Sequence, residues 1–306
     1  MKILITGGLG HIGSYVIENL LKNNNIKKIF LVDNISNQRF NVLFKLNNKK
    51  VKFIYGDLKI VNFIKKIPKS DIVLHLASTT NAEKSFENKN EVNKNNLGSF
   101  KNIVEYCKRY KSKLIHISST SVYGPQKNFV DENQKKLFPR SPYAEIKLKE
   151  EKILKKQKKF KYISLRFGTI SGFSDGMRFH TAVNKFCLNS VLGISIPVWG
   201  KSKNLYRPYL SLKDALKVIK FIIVKKFFPN DIFNILSENK TINEILKSIK
   251  KNKLNPKVSY VQSRILNQDT YKISKKKIEK VGIKLNSKIS DDIKTTIRKL
   301  KINSKF

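Results

Sequence analysis

In the stretch "SPYAEIKLKEE", Tyr143 and Lys147 stand four residues apart. Ser141 suits a helix N-cap and Pro142 the first helical position, so a helix beginning there carries both side chains on one face. That spacing has a chemical use. A free tyrosine, with a pKa of ~10, is ionised in about one part in a thousand at neutral pH, a penalty of ~4 kcal/mol. A neighbouring ammonium favours the phenolate, which can then take a proton from a substrate hydroxyl. Upstream, "ISSTSVYG" sets Ser118, Ser119, Thr120 and Ser121 in a row, with Tyr123 close behind. Serine and threonine clusters ordinarily mark loops and turns. Beside a Tyr–Lys pair, they raise the question of whether one hydroxyl serves the same proton transfer.

Proton removal at a carbinol needs somewhere for the hydride to go, and the N-terminus carries a motif for such an acceptor. "KILITGGLGHIGS" places Gly7, Gly8, Gly10 and Gly13 directly after an apolar strand and at the start of a helix, with His11 and Ile12 inside the turn. Tight turning and close backbone approach to a pyrophosphate both need glycine, and the helix N-terminus offers its amides to the phosphates. Asp33 ends the second strand twenty residues past Gly13, followed by Asn34. A carboxylate there accepts from a ribose 2′-hydroxyl and repels a 2′-phosphate, which favours NAD over NADP; Arg39 leaves a small opening for NADP. "GDL", with Asp57 and Leu58, follows the third strand and can touch the adenine. "LASTT", with Leu76, Ala77 and Ser78, follows the fourth and is small enough for close approach. His75 and His116 lie inside apolar strands and read as core histidines.

The elements that must hold these residues alternate. Strands are expected over Lys2–Thr6, Lys28–Val32, Val51–Tyr55, Asp71–Leu76, Leu114–Ser118 and Tyr162–Arg166, with helices near 12–22, 59–66, 91–110 and 142–158. Several strands are nearly continuous apolar runs, as when a sheet is covered on both faces. The class is α/β: a Rossmann-type, doubly wound parallel sheet over 1–168 and a smaller substrate-binding lobe over 169–306, with parts of the chain crossing between them. In the lobe, Thr241 and Glu244 form a capping-box signature. The tail, 270–306, reads as a solvated amphipathic helix.

Composition narrows the class. No run reaches the length of a membrane span, and "MKILITGG" lacks the apolar stretch of a signal peptide. Cys107 and Cys187 suit a reducing cytosol, as buried apolar residues and not as a disulfide or metal set, so the expected location is cytoplasmic. The 63 basic residues outnumber the 22 acidic ones, for a formal charge of +41. A nucleic-acid role is disfavoured because the lysines are spread along the whole chain and not gathered with arginine and aromatics. A positive surface would still attract an anionic small substrate.

Taken in order, "TGGLGHIGS", "VDN", "GDL", "LHLAS", "NNLGS", "ISSTSVYG", "SPYAEIK", "LRFGTISG" and "RPYLSLKDAL" resemble the extended short-chain dehydrogenase/reductase superfamily, in particular its NAD-dependent nucleotide-sugar epimerase/dehydratase family. The resemblance implies that Ser119 hydrogen-bonds the reacting oxygen, that Tyr143 is the acid/base, and that Lys147 tunes it and holds the nicotinamide ribose. It places Asn95 in the cofactor site and Arg207 on the substrate diphosphate. It also implies a nucleotide-sugar substrate and a homodimer through the helices near 91–110 and 142–158. Members that eliminate water are similar to one another in carrying Asp-Glu after the catalytic hydroxyl; here Thr120 and Ser121 stand there. What remains is a 4-epimerase, with a reductase, dehydrogenase or dehydratase as the enzymatic alternative and a non-catalytic RNA-binding member as the alternative of another class. Thr169 stands where the family often has asparagine near the substrate phosphates, and His180 or Asn184 can contact sugar or phosphate.

Overall fold

The computed structural model describes residues 1–80, 85–126, 129–200, 203–261 and 271–302. The first half runs β1 (Lys2–Thr6), α1 (His11–Leu20), β2 (Lys28–Asp33), the single-turn α2 (Val42–Lys45), β3 (Val51–Tyr55), α3 (Val61–Lys66), β4 (Ile72–His75), α4 (Lys89–Asn93), α5 (Ser99–Tyr110) and β5 (Lys113–Ser119). The short β6 (Phe129–Val130), α6 (Pro142–Lys156), β7 (Tyr162–Phe167) and β8 (Thr169–Ser171) follow. The second half comprises α7 (Ala182–Val191), β9 (Ile196–Trp199), β10 (Arg207–Ser211), α8 (Leu212–Lys225), β11 (Asp231–Ile235), β12 (Glu238–Lys240) and α9 (Ile242–Lys250). It closes with β13 (Val258–Val261), β14 (Lys272–Ile273), α10 (Lys276–Lys280) and α11 (Ile289–Ile302).

Seven strands form one sheet in the order β3-β2-β1-β4-β5-β7-β11, parallel at every pairing. The apolar runs explain it: β4 and β7 are buried at every residue, which suits a sheet covered on both sides. The seventh strand comes from 231–235, beyond the expected lobe boundary at 168, and α8 packs against α1 on the way. Connectivity reverses between β1 and β4, the place where open α/β sheets bind ligands.

Two local readings change. The helix expected over 91–110 is α4 and α5 joined by a π-helical turn at Lys94–Gly98, a feature that often marks functional sites. The tail is not one solvated helix. It contributes β14, α10 and α11, and α11 buries Ile289, Ile293 and Ile297 with α7, α9 and β9 in a second core. The Thr241–Glu244 capping box is present at the start of α9. Cys107 and Cys187 are buried and unbridged, and burial pushes the Cys187 thiol up to about 12. Among the described residues no helix is long and apolar enough to cross a membrane.

A buried carboxylate fastens α11 to the rest. Asp292 accepts from Ser171 Oγ at 2.5 Å and Ser211 Oγ at 2.9 Å. Burial raises its pKa to about 6, the two serine hydrogen bonds only partly opposing. A raised carboxyl pKa means that the folded state binds more protons than the unfolded chain between about pH 4 and 6. This group's contribution therefore falls as pH rises through that window, by on the order of 3 kcal/mol, and is constant above it. Asp292→Asn is expected to gain thermal midpoint relative to the wild type between pH 4 and 6.5, and to keep that difference at pH 8. Parallel melting curves for the two proteins would show no drift if Asp292 titrated normally.

Candidate active site

A cavity of about 730 Å³ opens at the carboxyl ends of β1, β2, β4, β5 and β7. Its floor is the glycine turn. Gly7 has φ +65°, and a Cβ there would lie 2.7 Å from the Ala77 amide nitrogen, so β1 and the loop after β4 can approach only at glycine. Gly10 is the N-cap of α1, and no side chain caps it. The first-turn amides are thereby left for an anion. At the end of β2, Asp33 accepts from the Leu9 amide at 3.2 Å and the Ile35 amide at 2.9 Å, which fixes the carboxylate at the cavity wall. These features fit a dinucleotide with its diphosphate at α1 and its adenosine ribose at Asp33.

Of the residues expected around the cofactor, Gly7, Gly10, His11, Ile12, Gly13, Asp33, Asn34, Asp57, Leu58, Leu76, Ala77, Ser78 and Asn95 all line this cavity. Asn95 reaches it from the π-helical turn and donates to Thr79 Oγ1 at 2.9 Å, bracing the loop after β4. His11 lines the wall, but its ring is turned away. Its Nε2 donates to the Gly172 carbonyl at 2.7 Å, and burial lowers its pKa to about 3, with Arg178 adding to the effect. The imidazole is therefore neutral, and its contribution to an anion is its backbone amide.

Ser119, Tyr143 and Lys147 face the same space. Ser119 ends β5, and its Oγ accepts from the Ser121 amide at 3.2 Å and from Ser121 Oγ at 2.9 Å. Its own O–H is left to donate to a bound oxygen. Thr120 turns inward, its hydroxyl donating to the Phe167 carbonyl at 3.3 Å. On α6 the predicted cap is in place, with Ser141 Oγ accepting from the Ala144 amide at 3.2 Å. Lys147 Nζ lies 5.9 Å from the centre of the Tyr143 ring.

The lysine is held by two residues that sequence reasoning passed over or left in the core. Lys147 Nζ donates to Glu150 Oε2 at 2.8 Å, and His116 Nε2 contacts the same oxygen at 2.8 Å. His116 Nδ1 in turn meets Ser164 Oγ at 2.9 Å. Burial lowers the His116 pKa despite Glu150, so the neutral ring donates from Nε2 and accepts from serine. Burial also works against Glu150, but Lys147 and His116 override it and bring the carboxyl down to about 2. For Lys147 the order is the same: burial lowers, Glu150 and Tyr143 raise, and the net is a raised pKa. The spacing from Lys147 to Glu150, three residues on one helix face, was visible in "SPYAEIKLKEE". The choice between Glu150 and Glu151 was not. Glu151 instead binds Arg166 through two hydrogen bonds of 2.9 and 2.7 Å and accepts from Ser118 Oγ at 2.6 Å.

The substrate-side expectations divide. Thr169 and His180 line the cavity. Asn184 does not; it is fully buried on α7 and donates to the Arg178 carbonyl at 3.2 Å, a bracing role. Arg207 also lies off the cavity wall, its guanidinium 5.1 Å from the ring of Tyr271, which does line it. Tyr123, close behind the hydroxyl cluster, is a core residue whose hydroxyl donates to Asn234 Oδ1 at 2.9 Å. Arg178, unassigned from the sequence, enters the cavity wall.

With this geometry in place, comparisons with known proteins are informative. The model of the NAD dependent epimerase/dehydratase family matches residues 3–235. The "Putative UDP-glucose 4-epimerase" of Methanocaldococcus jannaschii is 27% identical over 315 residues, covering 99% of both chains. A trifunctional UDP-glucose 4,6-dehydratase/3,5-epimerase/reductase of Arabidopsis thaliana is 24% identical over 97% of this chain, which spans only 46% of that protein. Among solved structures, the UDP-glucuronic acid 4-epimerase of Bacillus cereus superposes with a TM-score of 0.89 at 22% identity, covering 99% of this chain and 100% of that one. The match of the family model across both the glycine turn and the Ser–Tyr–Lys set shows that the chain belongs to the NAD dependent epimerase/dehydratase family.

Proposed function

We propose that this site interconverts C4 epimers of a nucleoside-diphosphate sugar through a transient 4-keto intermediate. The observation that carries the reading is the composition of the cavity wall around Ser119: a hydroxyl donor, a phenol and an ammonium, with Thr120 and Ser121 where elimination would need carboxylates. Ser119 donates to the C4 oxygen, and Tyr143 accepts that hydroxyl's proton and later returns it. Lys147, kept cationic by Glu150, favours the phenolate and is placed to hold the cofactor ribose. Bound NAD supplies the hydride acceptor and donor, and the reaction is redox neutral overall. Thr169 and His180 are the proposed substrate contacts from the wall, with Arg207 and Asn184 behind it. The relatives include epimerases and dehydratases, which supports the class and leaves the reaction to the wall residues.

Incubation with UDP-, GDP- and dTDP-sugars, followed by NMR, tests the reading. The expected product is the C4 epimer, and an accumulating 4-keto-6-deoxy sugar would replace it with dehydration. The homodimer stays a proposal from the resemblance: the outward faces of α5 and α6 carry Lys101, Arg109, Lys149 and Lys152, like charges that such an interface would have to accommodate.

A further inference from the structure

We propose that the outer edge of β3 is a docking site for an acidic, extended segment of another protein, which joins the sheet as an eighth strand.

β3 ends the seven-stranded order, and among the described residues no strand pairs with its outer side. The ladder with β2 fixes which backbone groups that side presents. The Ile29 amide donates to the Lys50 carbonyl at 2.8 Å and the Gly56 amide to the Asp33 carbonyl at 3.2 Å, with Ile29 opposite Val51 and Asp33 opposite Tyr55. The even-numbered residues of β3 therefore bond towards β2, and Phe53 and Tyr55 turn their N–H and C=O groups outward. Such an edge is a template for a further strand.

The side chains beside it are aromatic on one face. Tyr55 is 68% exposed and Phe44, on α2, 75% exposed. The Phe40 ring joins them, edge-on to Phe44 at 6.0 Å and to Phe53 at 6.3 Å. Phe53 and Tyr55, two residues apart on the strand, share that face. Apolar exposure gathered in one place marks an interaction surface, where a single exposed ring would not.

Charge selects the occupant. Residues 34–70 carry nine basic side chains and one acidic, Asp57, against 63 and 22 in the whole chain. Asp57 itself lines the cofactor cavity. Lys52 is exposed on β3 and points to the face opposite Phe53 and Tyr55. A strand that alternates apolar with acidic residues meets both faces at once, rings on one side and ammonium on the other. A second copy of this chain would bring like charges together at the same edge. A bilayer would accept the rings and the lysines but leaves the outward amides and carbonyls without partners.

Panning the NAD-loaded protein against a phage library of random dodecapeptides tests this. Enriched sequences are expected to alternate Asp or Glu with Val, Ile, Phe or Tyr. The synthetic form of the most enriched peptide should lose at least about tenfold in affinity on Lys52→Glu and on Phe44→Ser, the scale of an interface anchor. Both side chains are exposed, so neither variant should change the melting temperature, NAD binding or turnover. Bound peptide should slow hydrogen exchange at the Phe53 and Tyr55 amides. Enriched peptides without acidic residues, affinity indifferent to both substitutions, or unchanged exchange at those two amides would each overturn the proposal. No enriched peptide, with phosphatidylserine vesicles or polyuridylate binding in a manner that Phe44→Ser abolishes, would assign the face to a membrane or a nucleic acid instead.

Discussion

Tyr143→Phe is expected to lower turnover by about 10²- to 10⁴-fold, the usual contribution of a positioned acid/base, with NAD binding retained. The ring stays and only the hydroxyl goes, so a loss confined to kcat reports proton transfer and not binding. Other bases are poorly placed for the task. His75 is buried and held at about 3 by burial, with Lys147 adding to it, and its Nδ1 is engaged by Thr6 Oγ1 at 2.8 Å. Asp33 is occupied by two backbone amides. His180, exposed at the cavity wall, is a further candidate. If Tyr143→Phe turned over at the wild-type rate and His180→Ala did not, the acid/base role would pass to the histidine.

Glu150→Gln is expected to be the most damaging change outside direct contact with substrate. It keeps the shape of the side chain but leaves the Lys147 ammonium buried without its anion, a situation that typically costs about 3–5 kcal/mol. Glu150, depressed to about 2, contributes stability that is present above the ordinary carboxyl range and lost as pH falls through about 2. The gap in stability between wild type and variant should therefore be full at pH 7 and narrow in strong acid. Lys147 supplies the opposite limb. Its raised pKa contributes stability below the unfolded lysine value that is lost as pH rises through the folded one. Without Glu150, burial dominates and the lysine loses its proton at lower pH. The alkaline limb of the kcat profile should move down in pH as well. A variant that melts lower but keeps the wild-type pH profile would make Glu150 a structural anchor only.

How much of this was readable beforehand follows from the range of the interactions. The six strands β1 to β5 and β7 were legible because each is a short apolar run between turn residues, and a strand buried on both faces needs little else. The glycine turn was legible because its requirement is local: Gly7 must take a positive φ and admit Ala77. Tyr143 and Lys147 were legible because helical spacing alone puts them on one face.

What failed was long-range or two-sided. The seventh strand was missed because its partner, β7, is supplied by a distant part of the chain. Tyr123 follows a hydroxyl-rich stretch of the kind that marks loops, yet a short 3₁₀ turn points it into the core, where it meets Asn234. Asn184 was expected to contact sugar or phosphate, yet packing buries it on α7, where it braces the Arg178 carbonyl.

The sequence by itself therefore determined the sheet, the cofactor turn and the Ser–Tyr–Lys set, since each depends on backbone conformation and spacing within a few residues. Only the tertiary structure decided which carboxylate holds Lys147, which substrate-side residues reach the cavity, and which hydroxyl keeps a free proton. Those outcomes depend on burial and on partners from separate elements, where desolvation makes one neighbouring charge decisive.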